Sequence, residues 1–299
     1  MSAASARRTH RFSLLAEDQF MDRKEFLVGS SVASLGVALG ALASAGAQPA
    51  PNEVPAEGPA AALARSTAEQ ATRKILIAGG EFGTPFIRYL AALTGKPRPR
   101  LCFLPTASAD NPYAINGWYR DCAPLAVEPH VQASFIESLS QTQGWDEVLL
   151  SMDGIVASGG NTLNQQAIWR AQGIDVVLRE AWNRGIVLGG ASAGSLCWFE
   201  EGTTDSRPKA LSIVQCLGFL PGSHCPHYDA EPGRRPLYQR LIGSGQMKPG
   251  YACDNAAGLH FEGTEVKRVV ASRERAKAYY VSVVNGAVAE RALEPERIA

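Results

Sequence analysis

The sequence predicts an α/β fold: a mainly parallel sheet with helices on both faces, followed by a small antiparallel C-terminal extension. Three observations carry this. Short apolar runs, several ending in glycine, recur between residues 74 and 190, and stretches with helical spacing separate them. Apolar residues make up 45% of the 299-residue chain and charged residues 19%, a globular balance that excludes a disordered chain or a fibre. Beyond residue 256 the runs become closely spaced and are punctuated by Asn285-Gly286, a hairpin-turn signal.

The elements follow in order. Residues 1–47 read as a signal peptide: Arg23-Lys24 precede an apolar, Gly- and Ser-studded stretch over 26–43, and Ala45-Gly46-Ala47 gives a small-x-small cleavage site. Arg23-Lys24 before Phe26-Leu27 resembles a degenerate twin-arginine signal, with Met21 a candidate second start. A spanning helix would need about 20 strongly apolar residues. This stretch does not supply them, so the expectation is an exported, periplasmic or extracellular protein without stable membrane association after cleavage. Residues 48–71 are rich in Ala and Pro without a hydrophobic period and read as a linker; the folded domain spans 72–299.

Within that domain, 74–80 is the first strand, a short apolar run ending in glycines, as expected of a buried parallel strand. A helix over 85–93 tolerates Pro85 in its first turn. A strand at 100–106, a helix at 113–121 and strands at 131–136 and 154–160 come next. Helices over 163–171 and 176–184 lead to a fifth strand at 186–190, and strands at 257–261, 266–271 and 279–284 form the extension.

The chemistry gathers after the fifth strand. Gly189-Gly190-Ala191-Ser192-Ala193-Gly194-Ser195 precedes an expected short helix over residues 195–200. A tight strand-to-helix turn would lift the Ser192 hydroxyl above the carboxyl edge of the sheet, close to free helix N–H groups. A glycine-rich turn equally suits phosphate binding, although no G-x-x-x-x-G-K-[ST] follows; the local pattern leaves both open. A serine hydroxyl needs a base. Residues 222–229 hold His224 and His227, two of the five histidines in the chain.

His224-Cys225-x-His227 also offers three metal ligands. Adjacent Cys225 would point away, however, and no remote Cys/His cluster completes a tetrahedron. Neither metal nor organic cofactor is expected. The six cysteines form no CxxC pair and read mostly as small buried apolar groups. The 29 basic and 29 acidic residues cancel, which leaves no excess to neutralise phosphates and argues against nucleic acid as a partner.

Ser192-Ala193-Gly194, the upstream Gly159-Gly160-Asn161-Thr162 and His227, 35 residues past Ser192, resemble in order and spacing the peptidase E family of serine peptidases, which includes aspartyl dipeptidases and cyanophycinases. The resemblance covers residues 74–293. It implies a class I glutamine-amidotransferase-like fold and hydrolysis of short peptides through an acyl-enzyme, with Asp-containing dipeptides as one candidate class. By the same resemblance Ser192 is the nucleophile, His227 the general base, and the backbone N–H groups of Gly160 and Ala193 the oxyanion donors. Asp205 of Thr203-Thr204-Asp205 would orient the histidine, with Glu201 as alternative and Glu200 beside it. Asn161, Arg234 and Arg235 fall at substrate-binding positions, with Arg240 behind them; an arginine fork suits a carboxylate. The implied partner is a small peptide, and a homo-oligomer stays open. Two other readings are carried: an exported cyanophycinase-type hydrolase, and a non-catalytic amidotransferase-like binding protein.

Overall fold

The computed structural model describes residues 71–135 and 142–299, so the leader expected over 1–47 lies outside the described residues. No helix among those described is long and apolar enough to cross a membrane.

Strand β1 (Lys74–Ala78) shows why the apolar runs are continuous. Its side chains alternate between two cores. Leu76 and Ala78 pack with Phe86, Ile87 and Leu90 of α1 (Thr84–Leu93) and with Trp118 and Cys122 of α2 (Pro112–Cys122). Ile75 and Ile77 pack on the opposite face with Trp169 of α4 (Thr162–Gln172) and Leu178, Ala181 and Trp182 of α5 (Ile174–Asn183). With both faces covered, the four residues that follow Lys74 are all buried and apolar.

β1 is joined in parallel by β5 (Val187–Ala191), β4 (Gly154–Ala157), β2 (Arg100–Leu104) and β3 (Glu128–Val131), in that spatial order. On the other side of β1, β10 (Ala257–Glu262) and β11 (Glu265–Ala271) add antiparallel, and the short β14 (Glu296–Arg297) closes an eight-stranded sheet. A second, six-stranded sheet runs β13 (Ala287–Leu293), β12 (Ala278–Val284), β9 (Gly250–Cys253), β8 (Leu220–Cys225), β6 (Phe199–Thr204), β7 (Ser212–Gln215).

Four expectations change. β3 lies at Glu128–Val131 instead of 131–136, in register with Arg100 to Phe103 of β2. It is an edge strand of partly exposed residues, so apolar content does not mark it. The one-turn α3 (Trp145–Leu149) was not anticipated. The helix after Ser192, α6 (Ala193–Leu196), stops after one turn, and the following apolar residues open strand β6. Trp198 and Phe199 are fully buried there, and a short buried run reads alike as helix or strand. Finally, the C-terminal strands do not form one small extension. β10 and β11 widen the main sheet, and β12 and β13 complete the second. Their hairpin turns at Asn285-Gly286 (φ 52° and 80°), the two positive φ values of a type I′ turn.

A candidate active site at the carboxyl ends of the parallel strands

Ser192 sits between β5 and α6 with φ 57° and ψ −118°, a backbone conformation that costs a non-glycine residue about 1–3 kcal/mol. Its surroundings hold it there. The Ser192 N–H donates to the Ala78 carbonyl at 3.3 Å, and its own carbonyl accepts from the N–H groups of Ser195 and Leu196, both at 3.0 Å. The turn thereby presents the hydroxyl at the carboxyl edge of the sheet, where ligands of open α/β folds bind.

His227 follows β8, also at positive φ (54°). Its N–H donates to the Gly79 carbonyl at 3.2 Å. Asn255 lies in the turn between β9 and β10, and its carbonyl accepts from the N–H groups of Gly80 (2.9 Å) and Glu81 (3.0 Å). Asp229 Oδ1 accepts from the Asn255 N–H at 2.8 Å. Three distant chain segments therefore hang on four consecutive residues at the end of β1. A Cβ on Gly80 would stand 2.4 Å from Asn255 Oδ1 and 2.9 Å from His227 Nδ1, so only glycine permits this approach.

The side chains form a line. The Ser192 hydroxyl meets His227 Nε2 at 2.8 Å, and His227 Nδ1 meets Asn255 Oδ1 at 2.7 Å. An amide oxygen only accepts, so Nδ1 carries the proton and the Nε2 lone pair faces the hydroxyl. The N–H groups of Gly160 and Ala193 donate to no protein acceptor among the described residues. Gly160 has φ 133°, and a Cβ there would lie 2.2 Å from the Ala107 carbonyl oxygen. Glycine is required by the backbone behind it.

The other expected residues land differently. Asp205 does not touch the imidazole: its Oδ1 lies 3.4 Å from Arg234 Nη2, and its side chain is 63% exposed. Glu201 accepts from the Lys248 N–H at 2.7 Å and Gln215 Nε2 at 2.9 Å. Glu200 accepts from the Gly222 N–H and Lys248 Nζ, and the Lys248 bond holds its carboxyl below the usual range. The far side of the imidazole is already taken by Asn255, which corrects the expectation for both Asp205 and Glu201. Asn161 caps α4, its Oδ1 accepting from the Asn164 N–H at 2.9 Å.

Arg234 is buried, with Nε 2.7 Å from Glu231 and Nη1 2.9 Å from the Thr203 carbonyl. Arg235 pairs with Glu290 and lies over the rings of Tyr228 and Tyr279. Neither offers a free fork to a substrate carboxylate. His224 is fully buried and stacked on Phe199. Its Nδ1–H donates to the Tyr251 carbonyl (3.0 Å) and its Nε2 accepts from the Ser195 hydroxyl (2.9 Å). Burial pushes its pKa down to about 3 and keeps it neutral. With both nitrogens committed, the His-Cys-x-His set cannot close on a metal, and no group of three ligating side chains converges among the described residues. Burial likewise pushes the Cys102 and Cys225 thiols up to about 12.

Two cavities lie beside Ser192 and the turn that carries it. One, of about 250 Å³, is lined by Gly160, Asn161, Ser192, Asp205 and Ser206. The other, of about 180 Å³, is bounded by Gly80, Phe82, Trp118, Asp121, Gly159 and Ala191 among others.

The model of peptidase family S51 matches residues 75–269. The chain belongs to peptidase family S51. A curated relative, the uncharacterized peptidase YgaJ of Bacillus subtilis (strain 168), is 42% identical over 203 residues, which is 68% of this chain and 86% of that protein. Two solved structures share the fold. A peptidase from an acI-B1 Actinobacterium superposes with a TM-score of 0.60 at 16% identity, covering 77% of this chain and 97% of that one. A Listeria monocytogenes EGD-e structure provisionally assigned to peptidase E gives 0.52 at 18% identity, over 67% and 99%. Within this S51 peptidase, Asn255 is the partner of His227 that the sequence did not point to. Asp254-Asn255 between two apolar runs reads as an ordinary turn; the only hint is that an Asn can serve a nucleophile–His pair in place of an acid.

Proposed function

We propose that this S51 peptidase hydrolyses short peptides through an acyl-enzyme, with Ser192 as nucleophile, His227 as base and Asn255 holding the imidazole. The line Ser192 Oγ–His227 Nε2–Asn255 Oδ1, at 2.8 and 2.7 Å, carries this reading. Ser192 Oγ attacks the scissile carbonyl carbon while its proton passes to Nε2. The oxyanion that forms faces the N–H groups of Gly160 and Ala193; losing one such donor costs about 2.7–4 kcal/mol of barrier. Collapse breaks the C–N bond, and the leaving amine takes the proton from Nε2. Water then attacks the ester with His227 again as base, which frees the acid and restores Ser192. A neutral Asn255 fixes the ring and its tautomer but stabilises the imidazolium less than a carboxylate would.

A preference for Asp-containing dipeptides draws no support from Arg234 or Arg235, both already paired. Short peptides generally are the substrate class of this reading, and export through the leader over residues 1–47 would place the reaction outside the cytoplasm. A fluorophosphonate probe should label the wild type at Ser192 and leave Ser192→Ala unlabelled. In a panel of di- and tripeptides, Ser192→Ala, His227→Ala and the double variant should fall to one common floor, because the pair acts as a unit. Substantial peptide turnover by Ser192→Ala would overturn the assignment.

A further inference from the structure

Asp205 has no place in the line of reacting side chains, yet its position is not that of an idle surface carboxylate. It is 63% exposed on its side chain and lines the same cavity as Ser192 and Gly160. It is the one charged residue among those lining that cavity, and the adjacent 180 Å³ cavity has no Lys, Arg or His in its wall.

Its location relative to the oxyanion donors is fixed from both sides. Asn161, next to Gly160, donates from Nδ2 to the carbonyl of Ser206, next to Asp205, at 3.0 Å. Thr162 N–H donates to Ser206 Oγ at 2.8 Å. These two bonds tie the Gly160 turn to the Asp205 loop.

Beneath the carboxylate lies Arg234, 2% exposed and 3.4 Å from Asp205 Oδ1. That guanidinium is shared with Glu231 at 2.7 Å. Two carboxylates against one guanidinium leave a net negative charge, and Asp205 is the member that faces the cavity. Its Oδ2 has no hydrogen-bond partner among the described residues. An acceptor is therefore held in place next to the nucleophile, with no cation on the cavity side to satisfy it.

We propose that Asp205 is a specificity-determining residue that takes a cationic group of the peptide substrate, an ammonium or guanidinium, and disfavours a carboxylate at that subsite. The proposal rests on Ser192 being the nucleophile. The cation has two sources, a free peptide N-terminus or a Lys or Arg side chain, and substrate design separates them.

The experiment compares matched peptides on wild type, Asp205→Asn and Asp205→Glu: free against N-acetylated terminus, and Lys against acetyl-lysine in the side chain. Wild type should favour the cationic member by about ten- to a hundredfold in kcat/KM, the worth of a hydrogen bond to a charged group. The pair that shows the preference names the source. Asp205→Asn should lose it mainly through KM while its fluorophosphonate labelling rate stays unchanged, and Asp205→Glu should restore part of it. Equal wild-type rates within both pairs would overturn the proposal and leave the nucleophile assignment intact. So would an Asp205→Asn enzyme that loses kcat uniformly and labels slowly, the mark of a triad member. A wild type that neither labels at Ser192 nor cleaves any peptide would remove the nucleophile assignment and this proposal with it.

Discussion

At the scale of single residues, an amide oxygen sets the His227 tautomer, and this decides what substitution of Asn255 does. Asn255→Ala removes the bond to Nδ1 and frees the ring to turn, so kcat should fall about tenfold or more. Asn255→Asp supplies a carboxylate that favours the charged imidazolium, and a base must be uncharged to act. The acid limb of kcat/KM should then move to higher pH; an unmoved limb would place Asn255 off the proton path. His224 acts differently, as a buried neutral strut. Its pKa is about 3 in the fold against about 6.5 when unfolded, so the unfolded chain takes up the proton first. The stability it contributes is complete above about pH 6.5 and is lost as pH falls toward 3. Melting His224→Gln between pH 7 and 4 should give a shallower loss of Tm than wild type, with a residual slope from His260, which burial lowers to about 4. None of this is visible in the pair His224-x-x-His227, because burial and partners come from strands far away in sequence.

At the scale of elements, the end of β1 is the ruler of the site: Ala78 and Gly79 carbonyls bind Ser192 and His227, and the Gly80 and Glu81 N–H groups bind Asn255. The facing wall depends on Gly160. In Gly160→Ala the new methyl meets the Ala107 carbonyl and the backbone must turn, so its N–H leaves the position proposed for an oxyanion donor. The expected result is a fall in kcat of about 10²–10³ with KM little changed; a KM-only effect would show that Gly160 binds substrate without serving the oxyanion. The β12–β13 turn provides a contrast away from the site. Gly286→Ala at φ 80° should destabilise by about 1 kcal/mol and lower Tm without altering turnover. The inner parallel strands β1, β2, β4 and β5 were legible because both their faces are buried and nearly every position is apolar, Lys74 and Arg100 at the strand starts excepted. Edge strand β3 was not, since all its residues are partly exposed, and the start of β6 reads alike as helix or strand because Trp198 and Phe199 are fully buried.

At the scale of the whole molecule, the expectation of export concerns residues outside those described. N-terminal sequencing of the protein recovered from the periplasm or medium should begin near Gln48, and an intact Met1 in a cytoplasmic fraction would overturn it. The sequence by itself determined the α/β class and the strand-to-helix turn that carries Ser192, because these depend on local patterns, apolar runs and glycines beside a serine; the residues left His224 and His227 both open, and the family resemblance singled out His227. Only the tertiary structure decided the partner on the far side of the imidazole, the placement of Asp205 away from that ring and the extent of the second sheet. Those depend on which strands lie side by side. Asn255 reaches His227 because β9 and β8 are neighbours and the end of β1 clamps the turn beyond β9. Asp205 is drawn toward Arg234 because a buried guanidinium must find its counter-charges wherever the folded chain brings them.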